Sequence, residues 1–124
     1  MLAASSGPRP VKYFSGSYPK RLKFATSEPG GRVYVNRTGN PGMATGGTGD
    51  VLTGMIAAFV AQGFDPFFAA SLAIYAHGKA GDEAAGIKGQ TALIATDLLD
   101  RIPGVLKKLE KAHDLRRLVG LPAA

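Results

Sequence analysis

At 124 residues and a net charge of +6, the chain is at most one domain, large enough for a core but small for a complete two-substrate enzyme. Hydrophobic residues at 45% and charged residues at 19% suit a soluble globular chain, and no apolar run approaches the roughly 20 residues of a membrane span. Zero cysteines exclude disulfides, Cys-ligated zinc and thiol catalysis.

The opening MLAASSGPRPVKYFSGSYPK mixes Pro, Gly, Ser and Lys without a period, so residues 1–20 are expected to be disordered or poorly packed. It also lacks the continuous apolar stretch of a signal peptide, and a cytoplasmic protein is expected. The excess positive charge lies in the first half, on Arg9, Lys12, Lys20, Arg21, Lys23, Arg32 and Arg37 against Glu28 alone. These basic residues are scattered and share no helix face. Solvated charge, or help with an anionic ligand, accounts for them better than nucleic-acid binding does.

Residues 21–37 predict a hairpin. RLKFAT and RVYVN alternate polar with apolar, and the EPGG between them puts Pro29 and Gly30 where a type II turn wants them. From Asp50 the period becomes helical: Val51, Leu52, Met55, Ile56, Phe59 and Val60 form a wide apolar surface. That helix stops at QGFDP, where Gly63 closes it, Asp65 caps the next and Pro66 suits the next helix's first turn. The second helix, about Pro66 to Ala85, is rich in alanine and glycine, which permit close approach. A third is expected from Thr96 as N-cap, kinked or restarted at Pro103, with Ile102, Val105, Leu106 and Leu109 as one stripe.

Between hairpin and helix stands GNPGMATGGTGDVLTG. It is not a Walker A loop, because Thr48 stands where the lysine belongs, and not a dinucleotide fingerprint, because Leu52 holds the third glycine's place. What remains is a general device. Gly46, Gly47 and Gly49 precede a helix whose first-turn N–H groups lack intrahelical partners, and backbone without Cβ atoms approaches an anion closely. Asp50 then has two readings: a helix cap, or a base beside an anion hole that takes a proton from a hydroxyl while the amides hold a phosphoryl group.

These residues resemble a known family. GNPGMATGGTGDVLTGMIAAFVAQGFDPFFAASLAIYAHGKAGDEAA, together with TALIATDLLDRIP, is similar to the C-terminal part of bacterial ADP-dependent NAD(P)H-hydrate dehydratases, nicotinamide-repair enzymes of ribokinase-like α/β fold. The likeness runs from about Arg32 to Leu109. It implies that ADP or ATP phosphorylates the hydroxyl of the hydrated nicotinamide ring and that phosphate then leaves to restore the double bond. On that resemblance Asp50 is the base and contacts the hydrate. Asn40, Pro41, Gly42, Met43, Ala44, Thr45, Gly46, Gly47, Thr48 and Gly49 match the nucleotide-binding segment. Mg²⁺ is implied with the nucleotide, with no evident all-protein metal site; the implied partners are NAD(P)H hydrate and adenine nucleotide, with no nucleic acid and no membrane.

Three features depart from the family pattern. The N-terminal half that supplies most of the parallel sheet is not found, a K-G-x-x-T element ahead of the hairpin is missing, and residues 1–20 match nothing in the family. The expectation is a C-terminal fragment, a short β-hairpin followed by a helix-rich region over residues 21–124; with half of a ribokinase-like sheet missing, the apolar faces of helices 50–62 and 66–85 lack their cover, and a homo-oligomer is expected. A nucleotide-binding module without turnover and a ribokinase-like small-molecule kinase are the alternatives. His77 and Asp82 are read as structural, and His113 in the polar tail carries no reading.

Overall fold

The computed structural model describes residues 2–5, 10–18 and 21–111, with side chains from Phe24 onward. His113 and the tail beyond residue 111 lie outside the described residues, as does Arg9.

Four strands form an antiparallel meander, β1 (Leu2–Ser5), β2 (Pro10–Tyr18), β3 (Arg21–Ser27) and β4 (Val33–Val35), in the order β1-β2-β3-β4. The expected hairpin is β3–β4, with Thr26 opposite Tyr34; β1 and β2 extend it into a sheet over a stretch in which the sequence shows no period. The bend differs from the expected one. Its positive φ falls on Gly31 (92°) and not on Gly30, and the Gly31 N–H donates to Glu28 C=O at 3.0 Å. A three-residue loop between Glu28 and Arg32 needs a left-handed residue in its third place to match the strand twist, and a type II turn does not supply it. Arg32 closes the loop through a bidentate pair with Glu28 and lies 4.6 Å above the centre of the Phe67 ring.

Three helices follow, α1 (Thr48–Ala61), α2 (Pro66–Lys88) and α3 (Ala95–Lys111). Gly63 takes φ 93° after α1, and Phe64 N–H bonds back to Phe59 C=O at 3.2 Å, so the helix ends as its sequence directs. Asp65 caps α2 by accepting from Phe68 N–H at 3.1 Å, with Pro66 in the first turn. Thr96, in contrast, is not the cap of α3. The helix already includes Ala95, and the Asp97 carboxylate accepts from Ile94 N–H at 2.9 Å. Nor does Pro103 divide it. Both Pro103 and Leu99, whose carbonyl has no N–H donor at position 103, are exposed, so that carbonyl is left open to solvent and not stranded in the core.

The helix α2 is the centre of the molecule. Phe67, Leu72 and Ile74 are fully buried, with α1 contributing Leu52, Ile56 and Phe59, α3 contributing Val105 and Leu109, and the sheet contributing the half-buried Phe24 and Tyr34. The faces of α1 and α2 that seemed too broad for the chain are thus covered within it. Among the described residues the exposed large apolar side chains are Val33, Val35, Ile87, Ile94 and Leu99. No helix among the described residues is long and apolar enough to cross a membrane.

Small residues on α2 mark where the chain before α1 docks. A Cβ on Gly78 would stand 2.7 Å from the Thr38 backbone carbonyl carbon, and one on Gly81 would stand 2.2 Å from Met43 Sδ. Gly78→Ala is therefore expected to destabilise by about 1–3 kcal/mol, since backbone has to move. Gly54→Ala in α1, where nothing lies within 4 Å of the added atom, is expected to stabilise by up to about 1 kcal/mol. Urea unfolding of both variants checks the pair, and equal midpoints would refute the docking argument.

Candidate functional site

The segment from Asn36 to Thr48 is held along one flank by α2. Asn36 is buried; its Nδ2 donates to the carbonyls of Ile74 and Thr38, both at 3.1 Å, and its Oδ1 accepts from Tyr34 O–H. The Thr38 hydroxyl lies 2.9 Å from Tyr75 C=O and 3.0 Å from Asn36 Oδ1, one proton shared between two acceptors. Gly39 takes φ 105°, which lets its N–H reach Asp82 Oδ2 at 3.0 Å. Asn40 Nδ2 donates to the other oxygen of that carboxylate at 2.9 Å, and Asn40 Oδ1 accepts from Gly42 N–H at 3.0 Å. Asn40 thereby caps a single 3₁₀ turn, Pro41–Met43.

The opposite flank is the segment between α2 and α3. Gly42 packs against Gln90, whose carbonyl oxygen would stand 2.6 Å from an added Cβ. Met43 is buried with Ala84, Leu93 and Leu98, which locks the turn to both helices. Gly47 takes φ 91°, a conformation that a side chain resists, and an added Cβ would meet Ala95 Cβ at 3.1 Å. The loop is clamped on two sides.

Its outer face is left to backbone. Gly46, Gly47 and Gly49 are exposed, and an added Cβ at Gly46 or Gly49 would meet open space. The junction with α1 is fixed by Thr48, whose buried hydroxyl lies 2.8 Å from Met43 C=O and 2.9 Å from Thr45 C=O. On the helix side, His77 Nε2 lies 2.9 Å from Thr48 C=O. Asp50 stands third in α1, not at its N-cap. The cap is Gly47, without a side-chain hydrogen bond, and Asp50 is exposed with its carboxylate unengaged among the described residues.

The sequence segment Asn40–Asp50 therefore divides. Asn40, Met43 and Thr48 are turned inward and build the loop. Gly46, Gly47, Gly49 and Asp50 face solvent, alongside the exposed Pro41 and Ala44, with Gly42 and Thr45 half-buried. The sequence read His77 and Asp82 of α2 as structural, and they are; it did not show that with Gly78 and Gly81 they carry the loop. His77, Gly78, Gly81 and Asp82 follow the i, i+1, i+4, i+5 spacing of one helix face, and each meets a different part of it. That spacing was the available signal. Asn36 and Gln90 left none. Among the described residues no group of three or more His, Cys, Asp or Glu is placed to hold a metal.

Comparison with known proteins places these features in a family. The family model described as NAD(P)H-hydrate dehydratase matches residues 22–104. The bifunctional NAD(P)H-hydrate repair enzyme of Moorella thermoacetica is 60% identical over 102 residues, 82% of this chain and 19% of that protein. The ADP-dependent (S)-NAD(P)H-hydrate dehydratase of Xanthomonas campestris is 37% identical over 83 residues, 67% of this chain and 29% of that protein. Among solved structures, the ADP/ATP-dependent NAD(P)H-hydrate dehydratase of Bacillus subtilis, co-crystallised with ATP/Mg²⁺, superposes with a TM-score of 0.65 at 36% identity, covering 68% of this chain and 31% of that one. The chain thus spans under a third of the length of these relatives.

The burial of His77 has a consequence for stability. Desolvation holds its imidazole below the ordinary value of 6.5, opposed in part by the Thr48 carbonyl, which favours the charged donor. A base whose folded value is depressed contributes stability that is present above its unfolded value and lost as pH falls through the folded one. The melting temperature is expected to decline below pH 6.5, and less steeply in His77→Gln. Parallel declines in the two proteins, followed by circular dichroism, would assign the loss to other groups.

Proposed function

The chain belongs to the NAD(P)H-hydrate dehydratase family, and we propose on that premise that residues 39–50 form the phosphate side of a nucleotide site serving the ADP- or ATP-dependent conversion of (S)-NAD(P)H hydrate to NAD(P)H. The hairpin and three helices are part of a ribokinase-like α/β fold. One observation carries the reading. The side chains of Asn40 and Thr48 are spent on Asp82 of α2 and on the loop's own backbone, and what the loop offers outward is chiefly glycine backbone, helix-start N–H groups and the unengaged Asp50 carboxylate. That set suits an anion, plus a base beside it, and little else.

In this reading the terminal phosphoryl group of the nucleotide lies against the amides of Gly46, Gly47 and Gly49. The ring hydroxyl of the hydrate attacks its phosphorus while Asp50 takes the hydroxyl proton, and the bond to the nucleotide's leaving phosphate oxygen breaks. Phosphate then departs from the ring carbon as the neighbouring carbon loses a proton, which restores the double bond. Positioning and backbone electrostatics supply most of the catalysis, because phosphoryl transfer asks little covalent work of the protein. Mg²⁺ would neutralise charge on the phosphates. With no acidic cluster among the described residues, the donors fit an ion carried by the nucleotide and its waters, not a protein cage. A cytoplasmic setting belongs to the same reading, supported by a chain without cysteine.

Self-association is also part of the proposal. The strand β4 ends the sheet order and exposes Val33 at 62% and Val35 at 51%, an apolar edge suited to a second copy. Light scattering at a strictly monomeric mass across the micromolar range would rule it out.

Two substitutions test the site. Gly47→Val is expected to abolish ADP binding by calorimetry, since a β-branched residue resists φ 91° and crowds Ala95; equal affinity would move the phosphates elsewhere. In a chimera carrying residues 22–104 in place of the matched segment of the Bacillus enzyme, Asp50→Asn is expected to lower the rate of NADH recovery by roughly 10²–10⁴. Folding should change by less than about 1 kcal/mol, the value of an acid near a helix start, and nucleotide affinity should hold or rise. Near-normal turnover would remove Asp50 from the chemistry.

A further inference from the structure

The proposed reaction leaves His77 without a task, although it is a buried titratable group lying directly beneath the glycine loop. Its Nε2 stands 2.9 Å from Thr48 C=O. A carbonyl only accepts, so Nε2 carries the proton and donates it. Burial disfavours the charged imidazole, so the donor at neutral pH is the neutral ring in one tautomer.

The bond acts on more than Thr48. The carbonyl of Thr48 and the N–H of Gly49 belong to one planar trans peptide and point in opposite directions. Whatever fixes the carbonyl fixes the amide behind it. Accepting a hydrogen bond also polarises the peptide, so its N–H becomes a stronger donor. Gly49 is the second residue of α1, where the N–H has no intrahelical partner; it is exposed, and the space a Cβ would occupy is open. The Thr48 hydroxyl is engaged with the loop carbonyls of Met43 and Thr45, while His77 brings α2 to the peptide itself.

We propose that His77 is a positioning residue for the anion hole: through the Thr48–Gly49 peptide it aims and polarises the Gly49 N–H toward the transferring phosphoryl group. This rests on the glycine loop being the phosphate site. The role needs a neutral donor at the position of Nε2 and nothing else of the imidazole. Glutamine offers an N–H at nearly that position; leucine fills similar space and offers none.

The test uses the full chain, with ADP as the probe. His77→Leu is expected to weaken ADP binding about three- to tenfold by calorimetry, the scale of one hydrogen bond, and His77→Gln to restore it to near the wild-type value. Without nucleotide, the Gly49 amide resonance in a proton–nitrogen correlation spectrum should shift in His77→Leu and return in His77→Gln, while resonances of the α3 face stay in place. A general structural role would instead move all of these and the melting temperature together. Should His77→Leu not fold, His77→Asn, polar but too short to reach Thr48, takes its place. If Gly47→Val abolishes ADP binding while His77→Leu leaves both affinity and the Gly49 resonance unchanged, the role of His77 is overturned and the loop assignment stands. If Gly47→Val binds ADP as wild type does, the loop is not the phosphate site and both fall.

Discussion

Everything at the site depends on how closely the segment after β4 approaches α2. Gly78 and Gly81 lie one turn apart on the helix, and the space their missing side chains leave is filled by Thr38 and by Met43. On either side of them, the carbonyls of Ile74 and Tyr75, the imidazole of His77 and the carboxylate of Asp82 take up the polar groups that such close approach would otherwise strand. Close packing and hydrogen bonding need each other here. Without the notch the polar groups do not meet, and without those partners the buried Asn36 would carry an unpaired amide.

The arrangement sorts the loop into two sides. The side chains of Asn40 and Thr48 are committed to the protein, which leaves the outer side largely to main chain. Main-chain donors differ from side chains in having few rotamers to freeze, so an anion bound there would meet groups already in place. The left-handed conformations at Gly39 and Gly47 turn the chain at either end of this stretch, and both are positions where a side chain would be strained. Asp50 fits the same logic. As third residue of α1, with no capping bond, it is near the amides without consuming one of them.

Much of this was legible from the residues. The helix ends at Gly63 and Asp65, the apolar stripe of α3 and the hairpin at β3–β4 follow from local chemistry, and the structure shows them. Local chemistry also singled out the glycine loop as a candidate for an anion. What it did not supply is what holds the loop. Gly78 and Gly81 read as helix-approach residues without a partner, because the partner, the chain from Thr38 to Met43, has no periodic signal of its own. The same limit explains Thr96. A threonine before a helical run suggests a cap, but Asp97, which accepts from Ile94 N–H and pairs with Lys88 of α2, both at 2.9 Å, holds the helix start instead. The hairpin bend failed for a different reason: two adjacent glycines make the left-handed position ambiguous until the closing pair Glu28 and Arg32 is known.

The bonds between loop and helix also set an order of events. Asn36 reaches Ile74 across 38 residues of chain, and Gly39 reaches Asp82 across 43. Contacts so distant in sequence form only after the intervening chain has been brought into place, and closing that loop costs entropy that short-range helix formation does not. The stretch of α2 from Ile74 to Asp82 must therefore be in place before the glycine loop has anything to rest on. The site is a late product of folding, and its integrity reports on the whole helical core. A substitution at Leu72 or Ile74, remote from any phosphate, weakens the platform on which the loop is assembled.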